Sequence, residues 1–105
     1  MRVQAPQHYI DAHCSKVADA ERRERCGMMA ALDEGVGRVM AVLEELEYDD
    51  NLLVVFTSDN GAPWREGGSN WPLRGKKRGA YEGGVRVPAF LHSKTLLPQR
   101  PYAYS

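Results

Sequence analysis

The sequence lacks an excess of charge of either sign, a long apolar run and any internal repeat. Its 14 Lys plus Arg residues balance 14 Asp plus Glu residues, whereas proteins that bind nucleic acids or membrane surfaces through charge usually carry a basic excess. No apolar run approaches the ~20 residues needed to span a bilayer. No apolar segment typical of a signal peptide is visible near the N-terminus. We therefore expect neither a nucleic-acid partner nor a membrane span.

Cysteine is scarce, and this limits the metal and redox chemistry open to the chain. Only Cys14 and Cys26 are present, and a zinc site would need histidines to join them. His8 and His13 lie nearby in sequence, but the spacing matches no standard zinc motif. The pair is compatible with a disulfide in an oxidising compartment and with two free thiols in the cytosol.

A helix is predicted for residues 20–47, with Asp19 as its N-cap. Apolar residues recur there in steps of three and four, which is the period of one helical face. We expect this stripe to pack in a core: Met28, Leu32, Val36, Val39, Leu43 and Leu46. The glycines of this helix weaken it intrinsically and are expected to allow close approach of a neighbouring element: Gly27, Gly35 and Gly37.

The predicted fold class is α/β, with a long helix, a buried parallel strand, a long loop and a second strand. Residues 52–57 form an apolar run without alternation, which is typical of a parallel strand covered on both faces. Residues 85–92 are the second candidate strand, and Pro88 indicates an edge, a bulge or a strand start. Residues 1–18 show no regular pattern. Since one helix and two strands cannot close a doubly covered sheet, we expect the chain to be part of a larger domain.

Ser58-Asp59-Asn60-Gly61 follows the first predicted strand at its carboxyl end, where ligands collect in open α/β sheets. The carboxylate of Asp59 and the amide oxygen of Asn60 are hard donors that suit Ca²⁺ or Mg²⁺. The alternative is an ordinary turn, because Asn and Gly tolerate positive φ.

A long loop, residues 58–84, separates the two predicted strands and contains four cations between Arg74 and Arg78. A loop of this length inside a compact domain is usually functional. The basic cluster is either a solvated face or, together with a metal, a clamp for a tetrahedral oxyanion such as sulfate or phosphate.

Three ordered stretches resemble the type I sulfatases, and most closely the arylsulfatase B branch, which comprises the N-acetylgalactosamine-4-sulfatases with their I and J relatives. They are Ser58-Asp59-Asn60-Gly61, then Gly67-Gly68-Ser69-Asn70-Trp71-Pro72-Leu73-Arg74-Gly75-Lys76-Lys77, then Glu82-Gly83-Gly84-Val85-Arg86. Gln4-Ala5-Pro6-Gln7-His8-Tyr9 is also similar to the family's Gln-Val-Pro-x-x-Tyr. The resemblance covers about residues 4–98.

This resemblance implies a partial catalytic domain of alkaline-phosphatase-like fold at residues 1–98, followed by an irregular tail at 99–105. Asp59 and Asn60 match the family's two later calcium ligands. Lys77 matches the lysine that binds the substrate sulfate, with Lys76 as the alternative if the register shifts by one. The implied reaction is hydrolysis of a sulfate ester, carried by a sugar. The implied compartment is lysosomal or secreted, which favours a disulfide between Cys14 and Cys26.

Several parts of the family pattern are absent from this sequence. The family's nucleophile derives from Cys-x-Pro-x-Arg, but Cys14 precedes Ser-Lys-Val and Cys26 precedes Gly-Met-Met. The early Asp-Asp metal ligands and the lysine–histidine pair are also missing, so we expect no turnover from this chain alone. Two alternatives stay open: a non-catalytic binding module that holds sulfated glycans through residues 74–78, and a phosphodiesterase of the same superfamily, which the Trp-Pro-Leu-Arg-Gly stretch disfavours.

Overall fold

The computed structural model describes residues 4–65 and 67–97, apart from the side chain of Asp49. Its first element is a short helix, α1 (Gln7–His13), in a region that the sequence analysis expected to be irregular. The carbonyl of Pro6 accepts the N–H of Tyr9 at 3.1 Å and so opens the first turn. Two turns of helix are too short to produce a readable apolar period, which is why the pattern was missed. The predicted tail lies outside the described residues.

The second helix, α2 (Ala20–Glu45), confirms the predicted long helix and its cap. Asp19 Oδ1 accepts the N–H of Arg22 at 2.8 Å, which satisfies one of the unpaired donors at the helix start. Helix α1 packs on α2 at Gly27, where an added Cβ would lie 2.8 Å from both Ala5 Cβ and Ile10 Cγ1. Close approach therefore requires glycine at this position, whereas Gly35 has open space around it.

A disulfide between Cys14 and Cys26 joins the end of α1 to the first turns of α2. Cys14 is fully buried and Ile10 is nearly so. Among the described residues these two are the only buried apolar side chains, and every other buried residue is a glycine. The contact between the two helices is therefore small and is closed covalently.

The apolar stripe of α2 does not form a core within the described part of the chain. Met28 is 43% exposed and Leu46 is 58% exposed, and Val39 is exposed as well. The period of the stripe was identified correctly, but the expectation that the stripe packs in a core is wrong within the described residues. A helical period reports which side chains share a face, not which segment of chain covers that face.

Two short strands form the sheet, β1 (Val54–Thr57) and β2 (Ala89–His92). They pair antiparallel, with Val54 opposite His92 and Thr57 opposite Ala89. The expected pairing of buried parallel strands is therefore wrong for this pair, and side-chain exposure alternates along β1. The connection holds a one-turn helix, α3 (Glu82–Val85), instead of a long crossover helix, so the chain re-enters the sheet at the end where it left.

The aromatic rings of Phe56 and Phe90 stack across the strand pair with centroids 5.0 Å apart. The second strand is shorter than the predicted 85–92, because Val85 belongs to α3 and Pro88 lies immediately before β2, which fits the strand start among the three alternatives. The carbonyl of Pro88 accepts the N–H of Ser58 at 3.1 Å. This hydrogen bond extends the ladder by one step at the carboxyl end of β1. Within residues 4–65 and 67–97, no helix is long and apolar enough to cross a membrane.

Candidate functional site

Strand β1 ends at Thr57 and delivers the acidic turn, residues 58–61, to one edge of the sheet. Asn60 Nδ2 donates to Asp59 Oδ1 at 3.0 Å, which brings the amide and the carboxylate side by side. Ser58 Oγ donates to the backbone carbonyl of Asn60 at 3.1 Å and tightens the turn. Asp59 is exposed and Asn60 is half-buried, so both side chains are open to a ligand.

The donor set of the acidic turn fits part of a calcium shell. Asp59 offers a carboxylate and Asn60 an amide oxygen, and both are hard donors of the kind that Ca²⁺ prefers. The shell would need six to eight oxygens, and no group of three or more His, Cys, Asp or Glu residues converges within the described ranges. Asp59 and Asn60 could therefore supply only a minority of the oxygens of such a shell.

Helix α3 lies directly against the acidic turn, because two glycines allow their backbones to touch. Gly61 N donates to Gly84 O at 2.9 Å. A Cβ added at Gly61 would collide with the carbonyl oxygen of Gly83 and lie only 2.8 Å from its carbonyl carbon. The return of the loop into the sheet and the acidic turn are thus one packed unit.

Asn70 braces the loop from inside, a role that the sequence analysis did not assign. Its Oδ1 accepts the N–H of Ala62 at 2.7 Å, and its Nδ2 donates to Ala62 O at 2.8 Å. The same Nδ2 donates to Gly75 O at 3.1 Å. The available signal was general: a half-buried loop must satisfy its backbone groups, and asparagine carries both a donor and an acceptor.

The basic turn, residues 76–79, is hydrogen-bonded to Ala62, the residue that directly follows the acidic turn. Lys77 N donates to Ala62 O at 3.2 Å, while Gly83 N donates to Arg74 O at 2.7 Å. Gly75 has a φ of +101°, a conformation that side-chain-bearing residues rarely adopt. The backbone of Lys77 is therefore bonded directly to Ala62, which lies three residues after Asp59 in the chain.

The four cations of the cluster divide into two pairs. The guanidinium of Arg74 lies 4.0 Å from the ring centroid of Tyr81, and the ammonium of Lys76 lies 4.1 Å from that of Trp64. Both contacts are cation–π interactions. Lys77 and Arg78 are exposed, and their side chains have no hydrogen-bond, ion-pair or ring partner within the described ranges.

This division bears on the choice between the two lysines. The ammonium of Lys76 already has an aromatic partner, whereas that of Lys77 is free to meet an anion. The geometry favours Lys77 as the anion-binding lysine, in the register that the resemblance implies. Its role as a sulfate ligand stays a prediction.

The tryptophans of the loop, His92 and the two cysteines are the other residues with chemistry of their own. Trp64 and Trp71 are 71% and 86% exposed, so neither packs beneath the loop in the described part of the chain. His92 pairs with Val54, at the opposite end of β1 from Asp59, in keeping with a structural role. Cys14 and Cys26 are bonded to each other, so neither is available as a nucleophile.

Comparison with known proteins gives a consistent result. A family model described as Sulfatase matches residues 2–104. The chain is 38% identical to mouse arylsulfatase J over 94 residues, which is 90% of this chain and 16% of that protein. It is 46% identical to mouse steryl-sulfatase over 81 residues, 69% of this chain and 13% of that protein. It is 42% identical to human N-acetylgalactosamine-6-sulfatase over 62 residues, 55% of this chain and 12% of that protein.

A solved structure shares the architecture as well as the sequence. The crystal structure of Ps i-CgsB in complex with k-i-k-neocarrahexaose superposes with a TM-score of 0.85 at 34% identity, over 93% of this chain and 22% of that chain. The chain thus spans about a sixth of the length of arylsulfatase J and about a fifth of this structural neighbour. Matches in sequence and in fold agree: the chain belongs to the sulfatase family and carries part of its alkaline-phosphatase-like catalytic domain.

Proposed function

We propose that the chain contributes the later calcium ligands and the sulfate-binding lysine to the active site of a sulfuric ester hydrolase. One observation carries the proposal: Ala62 connects the acidic turn to the basic turn, because its carbonyl accepts the N–H of Lys77 at 3.2 Å. The acidic turn, with its hard oxygen donors, and the backbone of a lysine whose ammonium has no described partner therefore lie beside each other. That combination can bind a divalent cation and a sulfate together.

In this proposal Asp59 would hold the Ca²⁺ through its carboxylate and Asn60 through its amide oxygen. When bound, the ion supplies Lewis-acid polarisation of a sulfate oxygen and offsets its charge. The ammonium of Lys77 donates a charge-assisted hydrogen bond to another sulfate oxygen and orients the ester. Because the chain has no Cys-x-Pro-x-Arg and both cysteines form a disulfide, its own residues bind and orient but do not attack sulfur.

The proposed substrate class is a sulfated sugar, such as a unit of a glycosaminoglycan. One relative is named for N-acetylgalactosamine 6-sulfate chemistry, and the structural neighbour was crystallised with an oligosaccharide. Trp71 is 86% exposed on the same loop and offers a flat apolar face to a sugar ring. The proposed compartment is lysosomal or secreted, and the Cys14–Cys26 disulfide is of the kind that persists there.

A second candidate function is a non-catalytic module that binds sulfated glycans. Two adjacent cations whose side chains have no described partner, Lys77 and Arg78, favour it. Such a module would bind sulfated sugars equally well with and without Ca²⁺. Its affinity would fall as salt screens the charges.

Titration of the chain with Ca²⁺ and then with N-acetylgalactosamine 6-sulfate, followed by ¹H–¹⁵N NMR, tests the proposal. We expect Ca²⁺ to shift the amide signals of residues 58–62, and Asp59→Asn to remove this response. Lys77→Ala should abolish the response to the sulfated sugar. Asp33→Asn and Lys16→Ala are matched controls, because both residues are exposed and lie outside the loop.

The outcomes separate the two functions. Loss of sugar binding after chelation of Ca²⁺ supports the enzyme site, and unchanged binding after chelation supports the glycan-binding module. Ca²⁺ shifts that survive Asp59→Asn, or sugar shifts that survive Lys77→Ala, would overturn the assigned roles.

A further inference from the structure

Arg78 occupies a backbone position that normally excludes a large side chain. Gly79 N donates to Lys76 O at 2.9 Å, so residues 76–79 form a β-turn with Lys77 and Arg78 at its centre. Arg78 has a φ of +70°, and Lys77 is not among the residues with positive φ. This combination is a type II turn, whose third position is dominated by glycine and asparagine. Arginine at this position is a local outlier of the kind that clusters at ligand-binding sites.

Nothing in the described ranges uses the charge that this turn presents. The ion pairs between described residues do not include Arg78, and its side chain is exposed. Arg74 differs, since its guanidinium lies over the ring of Tyr81. The fold therefore places two consecutive cations whose side chains have no described partner, Lys77 and Arg78, at the centre of a turn that is anchored to Ala62.

We propose that Arg78 forms a second anion-binding position next to Lys77, so that the site takes a sulfate ester with a second anionic group nearby. This inference rests on the proposed function, in which Lys77 holds the reacting sulfate. The guanidinium fork of Arg78 matches a second sulfate or a carboxylate bidentately, which a lysine ammonium cannot do. Consecutive Cα atoms lie about 3.8 Å apart, so the two heads together reach neighbouring anions on one sugar or on adjacent sugars.

The substrate class that follows is a polyanionic sulfated saccharide. Lys77 binds the ester that the reaction would cleave, and Arg78 selects for the additional charge. Arg78 is a specificity-determining residue in this scheme, because it contacts the substrate away from the reacting sulfur.

Affinity measurements by NMR titration of the full chain test the inference with three probes. They are N-acetylgalactosamine 6-sulfate, N-acetylgalactosamine 4,6-disulfate and a disaccharide that carries one sulfate and one uronate. We expect the chain to bind the two dianionic probes about tenfold more tightly than the monosulfate, which is the ratio that one charge-assisted hydrogen bond supports. Preference for one dianion identifies the second group as sulfate or as carboxylate.

Arg78→Gly is the decisive variant, since glycine is the favoured residue at this turn position. Its affinity for all three probes should equal the affinity of the unsubstituted chain for the monosulfate. Its melting temperature should be the same or higher. Arg78→Gln keeps the bulk and the backbone conformation without the charge, and it should lose the preference equally. Lys16→Ala removes a distant exposed cation and should keep the preference.

Each outcome decides the question. Equal affinity of the unsubstituted chain for all probes, or a preference that survives both Arg78→Gly and Arg78→Gln, overturns the inference. Absence of binding of every probe overturns it as well. If Lys77→Ala leaves monosulfate binding unchanged while Arg78→Gly removes the dianion preference, then the proposed function fails and the second anion position stands.

Discussion

The side chain of Asn70 bonds both backbone groups of Ala62: it accepts the N–H at 2.7 Å and donates to the carbonyl at 2.8 Å. The same Ala62 carbonyl accepts the N–H of Lys77, so three segments of the loop meet at one residue. Asn70 therefore positions the basic turn relative to the acidic turn without touching a ligand. Its contribution comes from satisfying backbone groups that water reaches poorly.

Asn70→Asp should loosen this junction. The substitution replaces the donating Nδ2 by an oxygen that faces the carbonyls of Ala62 and Gly75, so two hydrogen bonds are lost and like partial charges meet. We expect a loss of about 1–3 kcal/mol in local stability. Amide hydrogen exchange at Lys77 and Ala62 should accelerate accordingly. Asn51→Asp is the control, because Asn51 is exposed and its side chain makes no described hydrogen bond. Unchanged exchange in Asn70→Asp would contradict the brace.

Gly61→Ala and Gly35→Ala should have opposite effects on stability. At Gly61 an added Cβ collides with the backbone of Gly83, which has no flexible side chain to move aside. At Gly35, in the interior of α2, there is nothing within 4 Å. We expect Gly35→Ala to stabilise the helix by about 0.5–1 kcal/mol and Gly61→Ala to destabilise the loop by more than that amount. Thermal unfolding followed by circular dichroism measures both. A Gly61→Ala variant as stable as the parent would show that the acidic turn and α3 are not tightly packed.

Glu47→Gly should raise the stability of α2. The helix ends in a Schellman motif, in which Tyr48 N donates to Leu43 O and Glu47 N donates to Glu44 O, each at 3.0 Å. Glu47 has a φ of +58°, where glycine avoids a cost of about 1–2 kcal/mol for an L-residue. Removal of an acidic side chain from the negative end of the helix dipole acts in the same direction. The melting temperature should rise by several degrees, while Glu45→Gly, inside the helix, should lower it. A lower melting temperature in both variants would refute the assignment of Glu47 to the helix cap.

The contact between α1 and α2 should depend on pH through Tyr9 and Glu34. The Tyr9 hydroxyl donates to Glu34 Oε2 at 2.8 Å, and this hydrogen bond raises the pKa of Tyr9. The same hydrogen bond, aided by Arg38, lowers the pKa of Glu34. The stabilisation from Glu34 is therefore present above the usual glutamate pKa and lost as pH falls through the lowered value. That from Tyr9 is present below the usual tyrosine pKa and lost as pH rises through the raised value.

Titration of ¹³Cζ-labelled tyrosine by NMR checks this pair. Tyr9 should deprotonate at a higher pH in the parent chain than in Glu34→Gln, which removes the charged acceptor. Arg38→Gln, which leaves the Tyr9 hydrogen bond in place, should change the Tyr9 midpoint far less. An identical Tyr9 midpoint in the parent and in Glu34→Gln would contradict the described hydrogen bond.

Local sequence signals predicted the elements whose causes are local. Asp19 identified the start of α2, because an N-cap acts within one turn of the chain. Pro88 indicated an edge, a bulge or a strand start, because a missing N–H excludes the interior of a sheet, and β2 begins at the next residue instead of at the predicted residue 85. The position of Asp59 and Asn60 after β1 followed from the end of an apolar run. Helix α1 was missed, since two turns are too few to show a period.

By itself, the sequence determined the family, the helix α2, the two strands and the order of the acidic and basic turns, because each of these depends on residues that are close together in the chain. Only the tertiary structure decided how the strands pair, that Gly61 meets Gly83, that Asn70 joins Ala62 to Gly75, and which cations face aromatic rings. These relationships connect residues that are five or more positions apart, beyond the reach of helix-cap and turn preferences. Many loop closures are compatible with the same local preferences, and packing together with backbone hydrogen bonding selects one of them.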